Sequence, residues 1–257
     1  MIVLSQIEQR RLETTPYEWA FVGGLFAEPD ATALMATFPR DHFKTIRDHD
    51  GEKGYEYEAR ALISMGGNAP AHANSLSAAW RQLAYDLLSP EYRQAVGQLA
   101  ERDVTSAPIE VNVFHYGQGA WLGPHVDLRD KILSHIFYFN ESWNEADGGS
   151  LAILRSANMT DKAACVMPIV GNSTVVVRSD KSWHAVAPVA RGCQQSRRSM
   201  TVTFYQAGSI STMWPPGDPT PLHCYEEAND AGALYPTGVG RVWSQLRNSF
   251  GRASDAQ

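Results

Sequence analysis

Three residues in this chain have the types and spacing to hold a metal ion: His125, Asp127 and His184. One residue separates His125 from Asp127, and side chains along an extended strand alternate faces, so imidazole and carboxylate project the same way. His184 lies far downstream, at a separation that suits a ligand returning on a different strand of the same sheet. Two imidazoles and one carboxylate gathered on one side of a metal leave the opposite positions open to other ligands. A His-x-Asp pair alone arises often by chance. Its weight depends on the segments around it.

The strongest of these is Arg197-Arg-Ser-Met-Thr-Val-Thr-Phe-Tyr205, in which Met200, Val202 and Phe204 alternate with Ser199, Thr201 and Thr203. Taking the apolar face as the interior of the sheet puts Arg198 inside and Arg197 outside. Arg197 becomes the inward residue only if the register slips by one. A guanidinium turned into an interior needs an anion to offset its desolvation. Beside a metal site, the anion is expected to be the distal carboxylate of a dicarboxylic cosubstrate in a bidentate contact; an internal salt bridge is the structural alternative.

The elements that must position these groups can be read along the chain. Trp19 to Val22 is a predicted strand, and Asp30 is a plausible cap for a short helix carrying Leu34 and Phe38 and ended by Pro39. Residues 41–67 are rich in charge and aromatics and read as a polar loop or hairpin, either a solvated surface or a flap over a polar substrate. Leu76, Trp80, Leu83 and Leu87 recur at helical spacing on a helix expected to start near Asn74. Ser89-Pro90 opens a second helix with Tyr92, Val96 and Leu99. Short β-rich runs follow at 109–116, 122–128, 132–140, 150–154, 164–169, 173–178, 184–189 and 197–205. The expected class is α+β, with the N-terminal helices packed on one sheet of a sandwich or barrel. Residues 1–205 are expected to form one domain, with an elaboration over 1–108 and the β core over 109–205. Residues 206–257 form an extension whose Trp214-Pro-Pro-Gly-Asp-Pro-Thr-Pro221 run cannot be regular helix or central strand. A short amphipathic helix is expected over Val242, Leu246 and Phe250, stopped at Gly251.

Composition bounds the function. At 257 residues and 44% hydrophobic content the chain can bury a sizeable core. Its net charge of −6 offers no electrostatic reason to expect nucleic acid as partner. The three cysteines lack metal-type spacing and read as reduced thiols, and no apolar run approaches a bilayer span. A cytoplasmic protein with no membrane partner is the expectation.

The run Tyr116-Gly-Gln-Gly-Ala-Trp-Leu-Gly-Pro-His125-Val-Asp127 resembles the first metal-binding strand of the prolyl 4-hydroxylase-like Fe(II)/2-oxoglutarate dioxygenases. Ile136-Phe-Tyr138-Phe-Asn140, with Gly148-Gly-Ser-Leu151 after it, resembles that family's Tyr-Leu-Asn strand and Gly-Gly-x-Leu. His184-Ala-Val-Ala-Pro-Val189 resembles the distal histidine segment, and Arg198 stands where the family keeps its basic anchor. The resemblance spans Ile109 to Tyr205 and does not reach the N-terminal hundred residues or the proline-rich tail.

That resemblance implies a double-stranded β-helix, or distorted jelly roll, that uses Fe(II), 2-oxoglutarate and O2, with ascorbate as reductant in vitro. His125, Asp127 and His184 would be the catalytic metal ligands. Arg198 would pair with the distal carboxylate of 2-oxoglutarate, Tyr138 would donate to the same group, and Tyr116 would stand near it or pack in the core. His115 and His135 read as ordinary buried or hydrogen-bonding histidines. Related halogenases carry a small residue in place of this aspartate, so Asp127 favours hydroxylation, desaturation or ring closure. Trp121, Leu128, Arg129, Trp183 and the loop from Tyr55 to Arg60 are candidate pocket walls. The expected substrate is a small polar metabolite or amino-acid-derived compound, antibiotic-pathway intermediates included. The alternatives are peptidyl prolyl hydroxylation, a non-catalytic metal-dependent binding or sensing module, and a Zn hydrolase using the same three ligands.

Overall fold

Two serines start the helical layer. In the computed structural model, which describes residues 1–48 and 54–225, Ser77 Oγ accepts from the Trp80 amide ahead of α3 (Ala78–Leu88), and Ser89 Oγ accepts from the Tyr92 amide ahead of α4 (Pro90–Ala100). Each cap satisfies an amide that the helix itself leaves unpaired. The expected start near Asn74 is a separate 3-10 turn, Ala73–Ser75. Two shorter helices precede these, α1 (Leu4–Glu8) and α2 (Glu28–Ala36). The second starts before the anticipated Asp30 because a first-turn proline, Pro29, presets its backbone. Trp80, Leu83, Leu87, Tyr92, Val96 and Leu99 are all buried, so both apolar stripes face the core as their spacing requires. Trp80 also donates its indole N–H to the Leu34 carbonyl at 3.0 Å, which ties α2 to α3.

The strands are β1 (Trp19–Val22), β2 (Lys44–Asp48), β3 (Tyr55–Ile63), β4 (Ile109–Tyr116), β5 (Trp121–His125), β6 (Lys131–Tyr138), β7 (Leu151–Leu154), β8 (Lys162–Val166), β9 (Ser173–Val177), β10 (His184–Val186) and β11 (Arg197–Tyr205). They pair antiparallel in the order β1-β9-β6-β11-β4-β3-β5-β10-β7-β8, with β2 on the side of β3. β3 carries the turn between the two halves. Its Glu58–Ile63 portion pairs with β4, while Tyr55 and Glu56 pair with Leu122 and Trp121 of β5, so one sheet curls over to face itself. This is the double-stranded β-helix, with the helices on the outer face of its larger half. Within the charged segment 41–67, β2 and β3 therefore pair antiparallel as part of the sheet. Among the described residues no helix is long and apolar enough to cross a membrane. The expected helix over Val242, Leu246 and Phe250 lies outside the described residues.

Strand alternation divides the larger half into two environments. On β6, Leu133, His135 and Phe137 turn toward the helices, while Ser134, Ile136 and Tyr138 turn into the barrel. On β11, Met200, Val202 and Phe204 lie in the core beneath the helices, and Ser199, Thr201, Thr203 and Tyr205 line the barrel cavity. The strand is therefore apolar toward the helices and polar toward the cavity. The sequence reading had assigned these two faces the other way round.

His135 is fully buried on the helix side, between the Tyr92 hydroxyl at 3.0 Å and the Ser173 hydroxyl at 2.8 Å. Burial pushes its imidazole down to about 3. The unfolded chain binds a proton near the ordinary value of about 6.5, so between those two values the unfolded state holds more protons and stability falls as pH falls. Stability is fully present above about pH 6.5, and this residue alone removes about 2 kcal/mol by pH 5. Denaturant midpoints measured across pH 7 to 5 should show that slope, and His135→Gln should flatten it. An unchanged slope in the variant would place the titration elsewhere.

Candidate active site

The site begins with a strand pair. β10 lies antiparallel to β5 with His184 directly opposite His125, and their ring centroids stand 4.3 Å apart. Asp127 lies two residues beyond the end of β5, in irregular backbone, where the sequence reading had continued the strand. It still reaches the same place. One ligand atom from each of His125, Asp127 and His184 lies within 4.8 Å of the others, and all three residues are buried.

The surroundings fix each donor. His125 Nδ1 meets the Gly123 carbonyl at 2.9 Å, and His184 Nδ1 meets the Ser182 carbonyl at 2.9 Å. A carbonyl can only accept, so Nδ1 of each ring carries the hydrogen and Nε2 is the atom that could hold a metal. Asp127 accepts from Lys131 Nζ at 2.6 Å and from Ser134 Oγ at 2.9 Å. Burial pushes its carboxyl up, but the positive charge beside it, Lys131 foremost, outweighs that and holds it well below the usual carboxylate range. Two neutral imidazoles and one ionised carboxylate are the donor set of a facial triad, and it fits a ferrous ion. The Tyr17 hydroxyl donates to the Trp183 carbonyl at 2.8 Å and holds the segment that brings in His184.

These groups open into a cavity of about 510 Å³ whose far end is occupied by Arg197. Arg197 is 2% exposed, with Nε donating to the Gly149 carbonyl at 2.7 Å and Nη1 to Ser199 Oγ at 2.6 Å. Its guanidinium lies over the Tyr116 ring at 4.8 Å and the Tyr138 ring at 5.6 Å. Desolvation lowers its pKa, and no carboxylate of the described residues pairs with it. Arg198, the expected anchor, points the other way, with its guanidinium 5.5 Å from the Phe38 ring on the helix side. The cause is the face assignment above: the apolar residues of β11 lie against helices, and the residue in line with Ser199 and Thr201 is Arg197.

The two glycines of the Gly-Gly-x-Leu run have a structural reason for being glycines. Gly148 has φ +68°, and a Cβ there would lie 2.0 Å from the Pro188 carbonyl oxygen. At Gly149, φ is +64° and a Cβ would press Trp143 at 2.9 Å. Only glycine combines that backbone with so close an approach, and the approach is what delivers the Gly149 carbonyl to Arg197. Asn140 Nδ2 donates to the Ser196 carbonyl at 2.8 Å, and its Oδ1 accepts from the Arg198 amide at 2.9 Å, pinning the start of β11.

Tyr116 lines the cavity, whereas the Tyr138 hydroxyl, expected to reach the cosubstrate, meets Thr174 Oγ1 at 3.1 Å with its ring beneath Arg197. Burial raises both phenols to about 12, partly offset by Arg197, so both remain hydroxyl donors at neutral pH. Of the candidate walls, Leu128, Tyr55 and Tyr57 line the cavity, while Trp121, Arg129, Trp183 and Arg60 do not. His115 pairs with Glu58 at 2.6 Å and stacks on Tyr225, outside the site.

The tail contributes more than the sequence indicated. Thr212, Met213, Pro215 and Asp218 line the mouth. Lys44 donates to the Met213 carbonyl and the Asp218 carboxylate beneath the Trp214 ring, and Trp214 Nε1 donates to Asn112 Oδ1 at 2.7 Å. The proline-rich segment is thereby fastened to β2 and β4.

Comparison with known proteins agrees with this geometry. A family model described as the 2OG-Fe(II) oxygenase superfamily matches residues 111–205, the span that holds His125, Asp127, His184 and Arg197. A Pseudomonas putida prolyl-4-hydroxylase superposes with a TM-score of 0.53 at 19% identity, over 80% of this chain and 99% of that one. An oxidoreductase of the 2OG-Fe(II) oxygenase family from Burkholderia pseudomallei gives 0.51 at 15% identity, over 75% and 87%. At such identities the likeness is one of fold. We found no curated protein whose sequence matches this chain. The matched segment carries the two-histidine, one-carboxylate donor set that a non-haem iron site requires. Residues 111–205 are thus similar to the 2OG-Fe(II) oxygenase superfamily, whose members use Fe(II), 2-oxoglutarate and O2, and the fold around them is prolyl 4-hydroxylase-like.

Proposed function

We propose that the protein hydroxylates an unactivated C–H bond of a small polar or amino-acid-derived molecule. The supporting observation is the tail: Thr212, Met213, Pro215 and Asp218 line the same cavity as the three candidate ligands and are held to β2 and β4, which takes up wall space that an extended peptide would need. With the metal held there, O2 would be the oxidant, one of its atoms entering the succinate left when 2-oxoglutarate loses CO2 and the other entering the substrate C–H bond.

The chain's own residues do the rest. His125 and His184 offer Nε2 because their Nδ1 hydrogens are committed to backbone carbonyls, and Asp127 stays ionised beside Lys131. Arg197 is the group we assign to the distal carboxylate of 2-oxoglutarate. It is buried without a counterion among the described residues, and its Nε and Nη1 bonds to Gly149 and Ser199 leave Nη2 of the fork for an external anion. Tyr116, a phenol lining the same cavity with its ring against Arg197, is the group we assign to a second, hydroxyl bond to that carboxylate. Ile136, Leu122, Leu151 and Val186 form apolar walls that keep water from the reacting carbon.

Succinate release from 2-oxoglutarate under air with Fe(II) and ascorbate, screened against metabolites and proline-containing peptides for a gain of one oxygen, tests this reading. Oxygen transfer to a small molecule is the expected result. Transfer to peptidyl proline alone would replace it with the prolyl hydroxylase reading, and no substrate-coupled succinate at all would favour a binding module.

A further inference from the structure

The charged groups lining the cavity are matched, with one exception. Lys131 is paired with Asp127 and Lys44 with Asp218, while Arg197 is assigned to the cosubstrate. The exception is Glu110. It is 2% exposed and lies on β4, where alternation turns Glu110, Asn112 and Tyr116 into the cavity. Its Oε2 accepts from the Tyr205 hydroxyl at 3.3 Å, and Glu110 in turn helps raise the Tyr205 pKa, so that partner stays a neutral phenol. Its Oε1 is buried with no hydrogen-bond partner, and no cation of the described residues reaches the carboxylate.

We propose that Glu110 recognises a protonated amine on the substrate, which makes a small alkylammonium or amino-acid-type compound the substrate class. This rests on the oxygenase reading of the same cavity. One long hydroxyl bond does not offset the burial of a carboxylate; a cation that also donates a hydrogen bond does. Position supports the assignment. Glu110 is opposite Thr203, and Thr203 is opposite Ser134, whose hydroxyl holds Asp127. Arg197 is opposite Tyr116 at the other end of the same strands. Glu110 therefore shares the metal's end of the cavity, beside Tyr205 and away from the place assigned to 2-oxoglutarate. An ammonium held there leaves a carbon a few bonds away to face the three ligands.

Pentylammonium and 1-pentanol match in shape and differ in the terminal group, so the pair reads the carboxylate directly. Both are titrated by ligand-observed NMR against the full-length protein, metal-free and again with Zn(II) and N-oxalylglycine, an inert stand-in for 2-oxoglutarate. Pentylammonium should bind at least about 10-fold more tightly than pentanol. Glu110→Gln should erase the difference, and Glu110→Asp should keep part of it. Equal affinities in the unaltered protein, a comparison that needs no variant to fold, would overturn the proposal, as would a preference that survives Glu110→Gln. An acetylated, amidated Gly-Lys-Gly peptide presents the same charge from a polypeptide; its binding in place of pentylammonium would overturn the small-molecule form. Failure of Zn(II) and N-oxalylglycine to bind would count against the oxygenase reading alone, because the metal-free titration still reports on Glu110.

Discussion

Arg197→Ala should raise the KM for 2-oxoglutarate by about 10²- to 10³-fold, while Arg198→Ala leaves it within about twofold. The two residues are neighbours on one strand, so they face opposite environments. Arg197 is sealed at the cavity's inner end with Tyr116 and Tyr138 beneath it, and Arg198 lies against Phe38 under the helices. Removing Arg197 would leave the distal carboxylate of the cosubstrate buried without its cation, which costs about 3–5 kcal/mol. Arg197→Lys should recover part of the loss, since an ammonium keeps the charge but not the planar fork. The measurement is succinate formation against 2-oxoglutarate concentration at saturating metal. Melting temperatures beside it separate a binding defect from loss of the Gly149 and Ser199 hydrogen bonds. A large effect from Arg198→Ala with none from Arg197→Ala would mean that the β11 register is wrong.

That neighbouring pair shows what the sequence could and could not disclose. Alternation along 197–205 was legible and correct as a pattern, and it fixed that one arginine faces in. Which one depends on what covers each face. An apolar stripe marks the side that meets another apolar element, and here α3 and α4 supply it, while a barrel holding a charged cosubstrate is lined with Ser199, Thr201 and Thr203. The two helices were themselves legible from their serine caps and leucine spacing. Joined to a polar inner strand, they would have pointed to Arg197. The separation of His125 from His184 was legible only as one that suits a return on another strand; that β10 sets the two residues directly opposite each other comes from the pairing itself. The role of residues 212–218 was not legible. Prolines say where a chain cannot be regular, and the hold of Lys44 and Trp214 on that segment depends on contacts between residues far apart in sequence. Lys131 and Ser134 were missed as well, although Lys131 stands four residues after Asp127 and a lysine so close to an expected ligand was the available signal.

The second large effect belongs to Asp127 and is graded by what surrounds it. Asp127→Ala should weaken Mn(II) or Fe(II) binding by more than about 10²-fold and abolish substrate-coupled succinate release. Loss of an outer-shell partner already costs about 10- to 100-fold, and a ligand contributes more. Lys131→Met and Ser134→Ala leave all three ligands in place but remove the groups that orient Asp127, so each should cost about 10-fold in metal affinity. Lys131 has a further effect on the sign. Its ammonium stabilises the ionised carboxylate, which favours metal binding, but it also repels a divalent cation a few ångströms away. The 2.6 Å contact from Lys131 to Asp127 Oδ1 fixes the carboxylate's orientation, and on that ground a net loss of affinity is the expected outcome. Calorimetric titration of Mn(II) into the four proteins decides the order. Tighter binding by Lys131→Met would show that repulsion dominates, and equal binding by Asp127→Ala would remove Asp127 from the metal site altogether.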